Sequence, residues 1–234
     1  MYNKPQKLVA EFVGTFALIF FGAGSICADQ FLRTGGQGGL GLLGIALAHG
    51  LAIGIMVTSL GHISGGHFNP AITIGFWVTR KLSTINMLVF WATQLAGAVA
   101  AAYALRILLP FDVWSAVQLG TPDLASGISR TNGMVFEGFM TFFLVFVAFA
   151  TCVDARGGFN KVAGFAIGLT ITMGALFGEP FTGAALNPAR AFGPSLAANH
   201  WTNHGVYWIG PLAGGVAAGW LYDMLFLKKE QRIS

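Results

Sequence analysis

Charged residues are scarce in this sequence: they make up 9% of its 234 positions, while hydrophobic residues make up 55%. Ordinary soluble domains carry about 25% charged residues, so the composition excludes that class. The mean hydropathy of +0.68 indicates an integral membrane protein. The net charge is +4, but the basic residues stand in short segments beside apolar runs, which favours a role in membrane orientation over binding to nucleic acid.

Cysteine is rare as well. Cys27 lies near the end of the first apolar run and Cys152 near the end of the fourth, which the topology below puts at opposite membrane faces, so we expect no disulfide between them. Neither thiol has a neighbouring base, and no Ser/His or His/Glu motif lies on one helix face, which argues against an enzyme. The histidines are spread over both sides of the membrane, so we expect no metal and no cofactor.

The triplet Asn-Pro-Ala occurs twice, as Asn69-Pro70-Ala71 and as Asn187-Pro188-Ala189. Asn suits the N-cap of a helix, and Pro suits the first helical position because its missing N–H is not needed there. Each triplet therefore predicts the start of a helix. Both of these helices are too short to cross a membrane, which takes about 20 residues.

Two half-helices inside a membrane protein imply a polar pathway, because irregular backbone at membrane depth survives only where it is buried in protein or lines a water-filled cavity. The positive N-termini of the half-helices would face each other near the midplane, with the side-chain amides of Asn69 and Asn187 as spare donors. Such a pathway suits a neutral hydrogen-bonding solute and repels cations.

The chain also contains an internal repeat. Six longer apolar runs predict transmembrane helices over about residues 8–27, 40–60, 85–109, 131–153, 162–177 and 206–227. Matching positions include Glu11, Thr15 and Phe16 in the first half and Glu137, Thr141 and Phe142 in the second. Each half has three spans, which is an odd number, so the second half must enter the membrane from the opposite side. The two repeats are therefore inverted. We predict one all-α transmembrane domain over residues 1–234, with repeats over about 1–109 and 131–234 joined by an outer loop, 110–130.

Lysine and arginine predict the orientation. With the N-terminus inside, the cytoplasmic segments hold Lys4, Lys7, Arg80, Lys81, Arg156, Lys161, Lys228, Lys229 and Arg232, and the outer side keeps three arginines. This bias predicts cytoplasmic N- and C-termini. We expect a multi-pass protein of the plasma membrane.

Three charged residues fall within apolar segments, where they are costly. Arg190 follows the second triplet and would cost about 2.5–3.5 kcal/mol if it faced lipid, so we expect it to face the pore. Glu11 and Glu137 occupy repeat-related positions in spans one and four. We expect them to accept hydrogen bonds from backbone N–H groups of the two re-entrant loops, a supporting role that we favour over proton relay.

Taken together, these motifs resemble the major intrinsic protein family, the aquaporins, over nearly the full length. The resemblance rests on both triplets, on Arg190, and on two flanking segments, Ala10 to Thr15 and Ser64 to Phe68. It implies six helices and two half-helices around one pore per subunit, with four subunits in a tetramer. His67 belongs to the first re-entrant loop, and we count it with the residues that support the loops.

The resemblance also implies a constriction at the outer side, formed by His49, Ala175, Ala184 and Arg190. Water-selective relatives usually place Phe where His49 stands and His where Ala175 stands, so the opening here should be wider than a water filter. The glycerol-channel branch typically has Asp where this chain has Ala191, so at this position the chain resembles the aquaporin branch. Because the constriction is expected to be wide, we nevertheless expect a passive channel for water and small uncharged solutes such as glycerol, urea, ammonia or metalloid acids. We expect this channel to exclude protons and ions.

Two alternatives stay open from the sequence. One is a strictly water-selective aquaporin on the same scaffold. The other is a secondary transporter of a small neutral solute, since inverted repeats and broken helices serve transporters as well, although coupled transport usually needs an ion site or a titratable relay at the midplane.

Overall fold

The computed structural model describes residues 2–157 and 162–227. Within these ranges the chain forms helices and connecting loops, with no β-strand. The helices are α1 (Lys4–Thr34), α2 (Gly41–Ser64), α3 (Pro70–Val78), α4 (Thr84–Leu108), α5 (Phe111–Ala116), α6 (Arg130–Val153), α7 (Ala163–Thr182), α8 (Pro188–Ala198) and α9 (Val206–Tyr222). Six of them are long, α3 and α8 are the two half-helices, and α5 is a short helix in the outer connection. The predicted fold class is confirmed.

Five helices, α1, α2, α4, α6 and α7, are long and apolar enough to cross a membrane. The sixth long helix, α9, continues as a π-helix over Asp223–Leu227. Large apolar side chains stand exposed on the outside of these helices, among them Leu51, Phe139 and Phe165. Such a surface suits contact with lipid rather than with water.

Three predicted spans are too short. The second, predicted to end at about residue 60, continues to Ser64. The first begins at Lys4 rather than Leu8 because Asn3 caps the helix, its side chain accepting from Gln6 N at 3.0 Å. It runs on past Cys27 to Thr34, where Arg33 pairs with Asp29 one turn earlier at 2.7 Å. The fifth span continues past Phe177 to Thr182 and ends at Gly183, whose φ of 72° stops the helix.

Each half-helix packs against the last long helix of the other half of the chain: α3 contacts α9, and α8 contacts α4. The approach is close enough to require glycine. A Cβ on Gly215 of α9 would collide with the Ala71 carbonyl, and one on Gly193 of α8 would collide with the Ala98 carbonyl. Small residues at these points let the backbones meet, so the two halves hold each other's half-helices in place.

The connection over residues 110–130 is folded rather than extended. After α5, three consecutive residues have left-handed backbone, Gln118 (φ 49°), Leu119 (φ 54°) and Gly120 (φ 68°). Leu119 is fully buried, and Ala125 N donates to Phe181 O at 2.9 Å. Because the left-handed region is unfavourable for residues other than glycine, the packing around Leu119 must hold this turn in place.

Candidate functional site

The two asparagines of the triplets join the half-helices at their N-termini. Asn69 Oδ1 accepts from Ala71 N at 2.7 Å, and Asn187 Oδ1 accepts from Ala189 N at 2.9 Å, so each caps its own helix. Each also bonds the opposite entry loop. Asn69 Nδ2 donates to Leu186 O, and Asn187 Nδ2 donates to Phe68 O, both at 2.9 Å. The amides are therefore only partly spare, since one of the two N–H groups of each is engaged.

The carbonyls that receive these bonds lie on strained backbone. Phe68 has a φ of 48° and Leu186 a φ of 52°, and Ala184 in the second loop has a φ of 40°. Left-handed backbone at a residue with a side chain costs on the order of 1–3 kcal/mol and persists only where the surroundings enforce it. Two buried carboxylates do so here.

Glu11 holds the first re-entrant loop. Its carboxylate is fully buried and accepts from Ser64 Oγ (2.6 Å), His67 N (3.0 Å), Phe68 N (2.7 Å) and Gln94 Nε2 (2.7 Å). These four hydrogen bonds compensate for the cost of burying one charge.

Glu137 holds the second re-entrant loop in the corresponding way. It is fully buried and accepts from Thr182 Oγ1 (2.7 Å), Ala185 N (2.9 Å) and Leu186 N (2.8 Å). Each carboxylate thus accepts from the backbone N–H of a residue whose carbonyl accepts from an asparagine of the other triplet. In the first loop this residue is Phe68, and in the second it is Leu186. The loops and the half-helix junction form one hydrogen-bonded unit.

His67 lies beside this unit. Besides the bond from its backbone N–H to Glu11, its Nδ1 is 3.1 Å from Thr73 Oγ1. Its ring contacts Phe76 and Phe90, with centroids 4.5 and 5.4 Å away. The ring is therefore fixed by packing as well as by hydrogen bonding.

A narrow cavity passes the junction and collects the four predicted constriction residues, His49, Ala175, Ala184 and Arg190, together with Asn69, Asn187, His67 and apolar side chains such as Leu18 and Ile53. The space open to the centres of water-sized molecules is about 20 Å³. One water needs about 10–15 Å³ by this measure, so the cavity has room for about one water molecule.

One nitrogen of the Arg190 guanidinium has a hydrogen-bond partner in the protein, and the other two have none. Nη1 donates to the Gly120 carbonyl at 2.6 Å, while Nε and Nη2 have no protein partner. The side chain is 1% exposed and lines the cavity, so these two donor nitrogens are left for a molecule that enters it. The left-handed turn of the outer connection supplies the carbonyl that anchors Arg190.

His49 offers the complementary group. Its Nδ1 lies 2.9 Å from Ile45 O, and because a carbonyl only accepts, Nδ1 carries the proton. In the neutral ring Nε2 is then an acceptor, and it too lacks a protein partner. The methyl groups of Ala175 and Ala184 add no polar atoms, so the lining presents an acceptor from His49 and donors from Arg190.

Several residues of this site were missed from the sequence. Gln94 links Glu11 to Thr73 Oγ1, which it reaches at 3.0 Å. Its signal was visible, since an amide within an apolar span needs a partner. Thr182 and Gly120 gave no comparable signal, because a threonine at a helix end and a glycine in a loop are common.

Among the described residues, no group of three or more His, Cys, Asp or Glu side chains is placed to hold a metal ion. His200 Nε2 instead lies 2.9 Å from Asp123 Oδ2. His204 sits between Ser195 Oγ (3.2 Å) and Trp208 Nε1 (3.0 Å), and partial burial lowers its pKa. These histidines tie the outer loops together.

An all-helical membrane protein with two half-helices meeting at a narrow polar cavity has the architecture of a membrane channel. The family model described as "Major intrinsic protein" matches residues 2–222, and the chain belongs to this family. Aquaporin TIP1-2 of Zea mays is 41% identical over 227 residues, covering 96% of this chain and 87% of that protein. The lens fiber major intrinsic protein of Oryctolagus cuniculus is 40% identical over 229 residues, covering 98% and 84%.

The fold has a solved counterpart in the aquaglyceroporin from Plasmodium falciparum. That structure matches with a TM-score of 0.84 over 96% of this chain and 98% of the other, at 23% identity. The predicted family resemblance is confirmed, and the chain is a multi-pass membrane protein.

Proposed function

We propose that this protein is a passive channel, not an enzyme, that conducts water and small uncharged solutes and excludes protons and other ions. The observation that carries the proposal is a set of buried polar atoms without a protein partner on two residues that line the cavity: Nε and Nη2 of Arg190 and Nε2 of His49. Buried polar atoms without a partner cost on the order of 1–3 kcal/mol each, so they favour a passing molecule that donates and accepts hydrogen bonds.

His49, Ala175, Ala184 and Arg190 form the selectivity filter in this proposal. Two methyl groups stand where larger side chains would narrow the opening, which supports passage of solutes wider than water. The water-selective alternative has support of its own, since the cavity leaves about 20 Å³ for the centres of water-sized molecules.

The charges around the cavity support ion exclusion. Arg190 and the positive ends of two half-helices face the pathway. The carboxylates of Glu11 and Glu137 each accept hydrogen bonds from at least three donors. This favours a role in holding the re-entrant loops over a role as a proton relay. These features favour a passive channel over a proton-coupled transporter.

Stopped-flow light scattering on proteoliposomes tests the proposal, with water, urea, glycerol, ammonia and boric acid measured separately. We expect flux of water and of at least one wider solute without any ion gradient, and no proton current. His49→Ala should raise the urea-to-water permeability ratio. His62→Ala, on the exposed end of the same helix, is the matched control and should leave the ratio unchanged.

Two outcomes would contradict this function. Solute flux that requires a proton or sodium gradient would identify a transporter. Flux of water alone, with all other solutes excluded, would identify the water-selective alternative.

We propose that four copies assemble, that the two halves are inverted repeats, and that both termini lie on the cytoplasmic side of the plasma membrane. The reciprocal contacts of α3 with α9 and of α8 with α4 support the repeat. Native mass spectrometry tests the tetramer. For orientation, Ser126→Cys, exposed in the outer connection, should react with an impermeant maleimide on intact cells in a Cys152→Ser background.

A further inference from the structure

The ring of His49 rests directly on the backbone of Gly22 in α1. A Cβ added to Gly22 would lie 2.6 Å from His49 Cδ2, 2.8 Å from Nε2 and 3.1 Å from Cγ. Separations below 3.0 Å are sterically impossible without movement, so the imidazole occupies the place that a side chain at this position would take.

Gly22 reaches this position through an irregular turn. Residues Leu18–Ala23 form a π-helical turn in the middle of α1, and such turns insert one residue and re-aim those around it. Leu18 from the same turn lines the cavity. Ser25 Oγ donates to the Gly22 carbonyl at 2.6 Å, which satisfies an acceptor of the widened turn.

The remaining contacts of His49 and its helix leave the imidazole ring one direction in which it can move, toward the cavity. Nδ1 is tied to the Ile45 carbonyl of its own helix. Gly50, the next residue, packs against the backbone of Gly168 and the side chain of Thr172 on α7, so α2 cannot retreat from α1. His49 lines the cavity and Gly22 does not, so Gly22 stands behind the ring. A push from Gly22 would drive the imidazole into the pathway.

We propose that Gly22 is a positioning residue that sets the width of the constriction: the missing side chain lets His49 sit back from the lumen. The inference rests on the proposed filter. Gly22→Ala should advance the ring into the cavity and exclude wide solutes before water. Because steric exclusion rises steeply with solute width, we expect the urea-to-water permeability ratio to fall about tenfold, which is ~1.4 kcal/mol of barrier.

The test compares four variants in proteoliposomes: Gly22→Ala, His49→Ala, the double variant, and Gly24→Ala. Gly24 lies on the same helix, and a Cβ there would meet the flexible end of Leu105 at 3.1 Å, so Gly24→Ala should keep the parent ratio. With the ring removed, Gly22→Ala should have no further effect on permeation, so the double variant should match His49→Ala in solute ratio.

The outcomes separate the two proposals. An unchanged ratio in His49→Ala would overturn the filter itself. A changed ratio in His49→Ala with an unchanged ratio in Gly22→Ala would overturn only the role of Gly22. Should Gly22→Ala fail to assemble, the double variant decides: recovery of folding together with the His49→Ala ratio supports the contact with the ring, whereas a double variant that also fails overturns it.

Discussion

Replacing Glu137 by Gln tests whether a buried carboxylate holds the second re-entrant loop. Three donors converge on this side chain, Thr182 Oγ1 and the backbone N–H groups of Ala185 and Leu186, at 2.7–2.9 Å. Glutamine has nearly the same shape but only one acceptor oxygen, and its NH₂ group must face at least one of these donors. The substitution therefore removes the charge and sets two donors against each other while leaving the packing intact.

The magnitude follows from the contacts. A hydrogen bond to a charged group contributes about 1.5–3 kcal/mol, and a buried donor left unpaired costs about 1–3 kcal/mol. If the glutamine oxygen keeps Thr182 and Ala185, one charge-assisted bond to Leu186 is lost and two others weaken. We expect a loss of about 2–4 kcal/mol, which for a chain of this size lowers the melting temperature by roughly 5–15 °C.

Thermal unfolding of the purified protein in detergent measures this effect. Thr182→Val removes one donor and leaves the carboxylate with two, so its loss should be smaller. Asp112→Asn changes an exposed carboxylate in the first turn of α5 and should cost at most about 1 kcal/mol. If Glu137→Gln melts within about 2 °C of Asp112→Asn, the carboxylate does not hold the loop and the reasoning is wrong.

Further predictions concern the filter, thiol reactivity and acid stability. His49→Phe combined with Ala175→His should lower urea and glycerol flux relative to water because two rings narrow the cavity, and a double variant that passes both as well as the parent would show that these residues are not the filter. Mercuric chloride should not block the parent, whereas Ala184→Cys should be blocked and then restored by a thiol reductant; block of the parent traced to the filter would contradict this. Hydrogen bonds from Arg156 lower the pKa of Asp154, so the stability that this carboxylate contributes is fully present above its unfolded pKa of about 3.9 and declines as the pH falls from there toward its lower folded-state pKa. Arg156→Gln should therefore melt below the parent at pH 7, with a gap that narrows progressively as the pH falls below about 4, and a gap that is the same at pH 7 and pH 3 would exclude this cause.

The half-helices could be predicted from the sequence because their signals are local. Asn69 and Asn187 have extended backbone, with φ values of −158° and −154°, and each caps the helix that its proline begins. The carboxylates of Glu11 and Glu137 could be predicted as buried acceptors because a charge inside an apolar span must be compensated. In both cases the identity of the residue alone, a helix-capping asparagine or a charge in an apolar span, indicates the interaction that it needs.

Other parts of the site depend on contacts between distant segments and gave no local signal. The π-helical turn at Leu18–Ala23 changes the register of α1 by one residue, which no hydrophobic periodicity records. The Gly120 carbonyl reaches Arg190 across 70 residues of sequence through a turn that packing holds in the left-handed region. Such features are decided by the assembled fold, so the sequence could identify Arg190 as a pore residue but not what anchors it.

The unpartnered atoms of the filter fit the hydrogen-bonding capacity of a single small molecule. Arg190 offers two donor nitrogens, Nε and Nη2, and His49 offers one acceptor, Nε2. A water molecule accepts two hydrogen bonds and donates two, so it can bond both donors and His49 Nε2 and still donate to the next water in file. Ammonia has one lone pair and can use only one of the two donors. A urea carbonyl oxygen can take both donors while an N–H group bonds Nε2. On the proposed function, hydrogen bonding admits all three solutes, and we expect the discrimination among them to come from the width of the opening, which Ala175, Ala184 and the depth of the His49 ring would control.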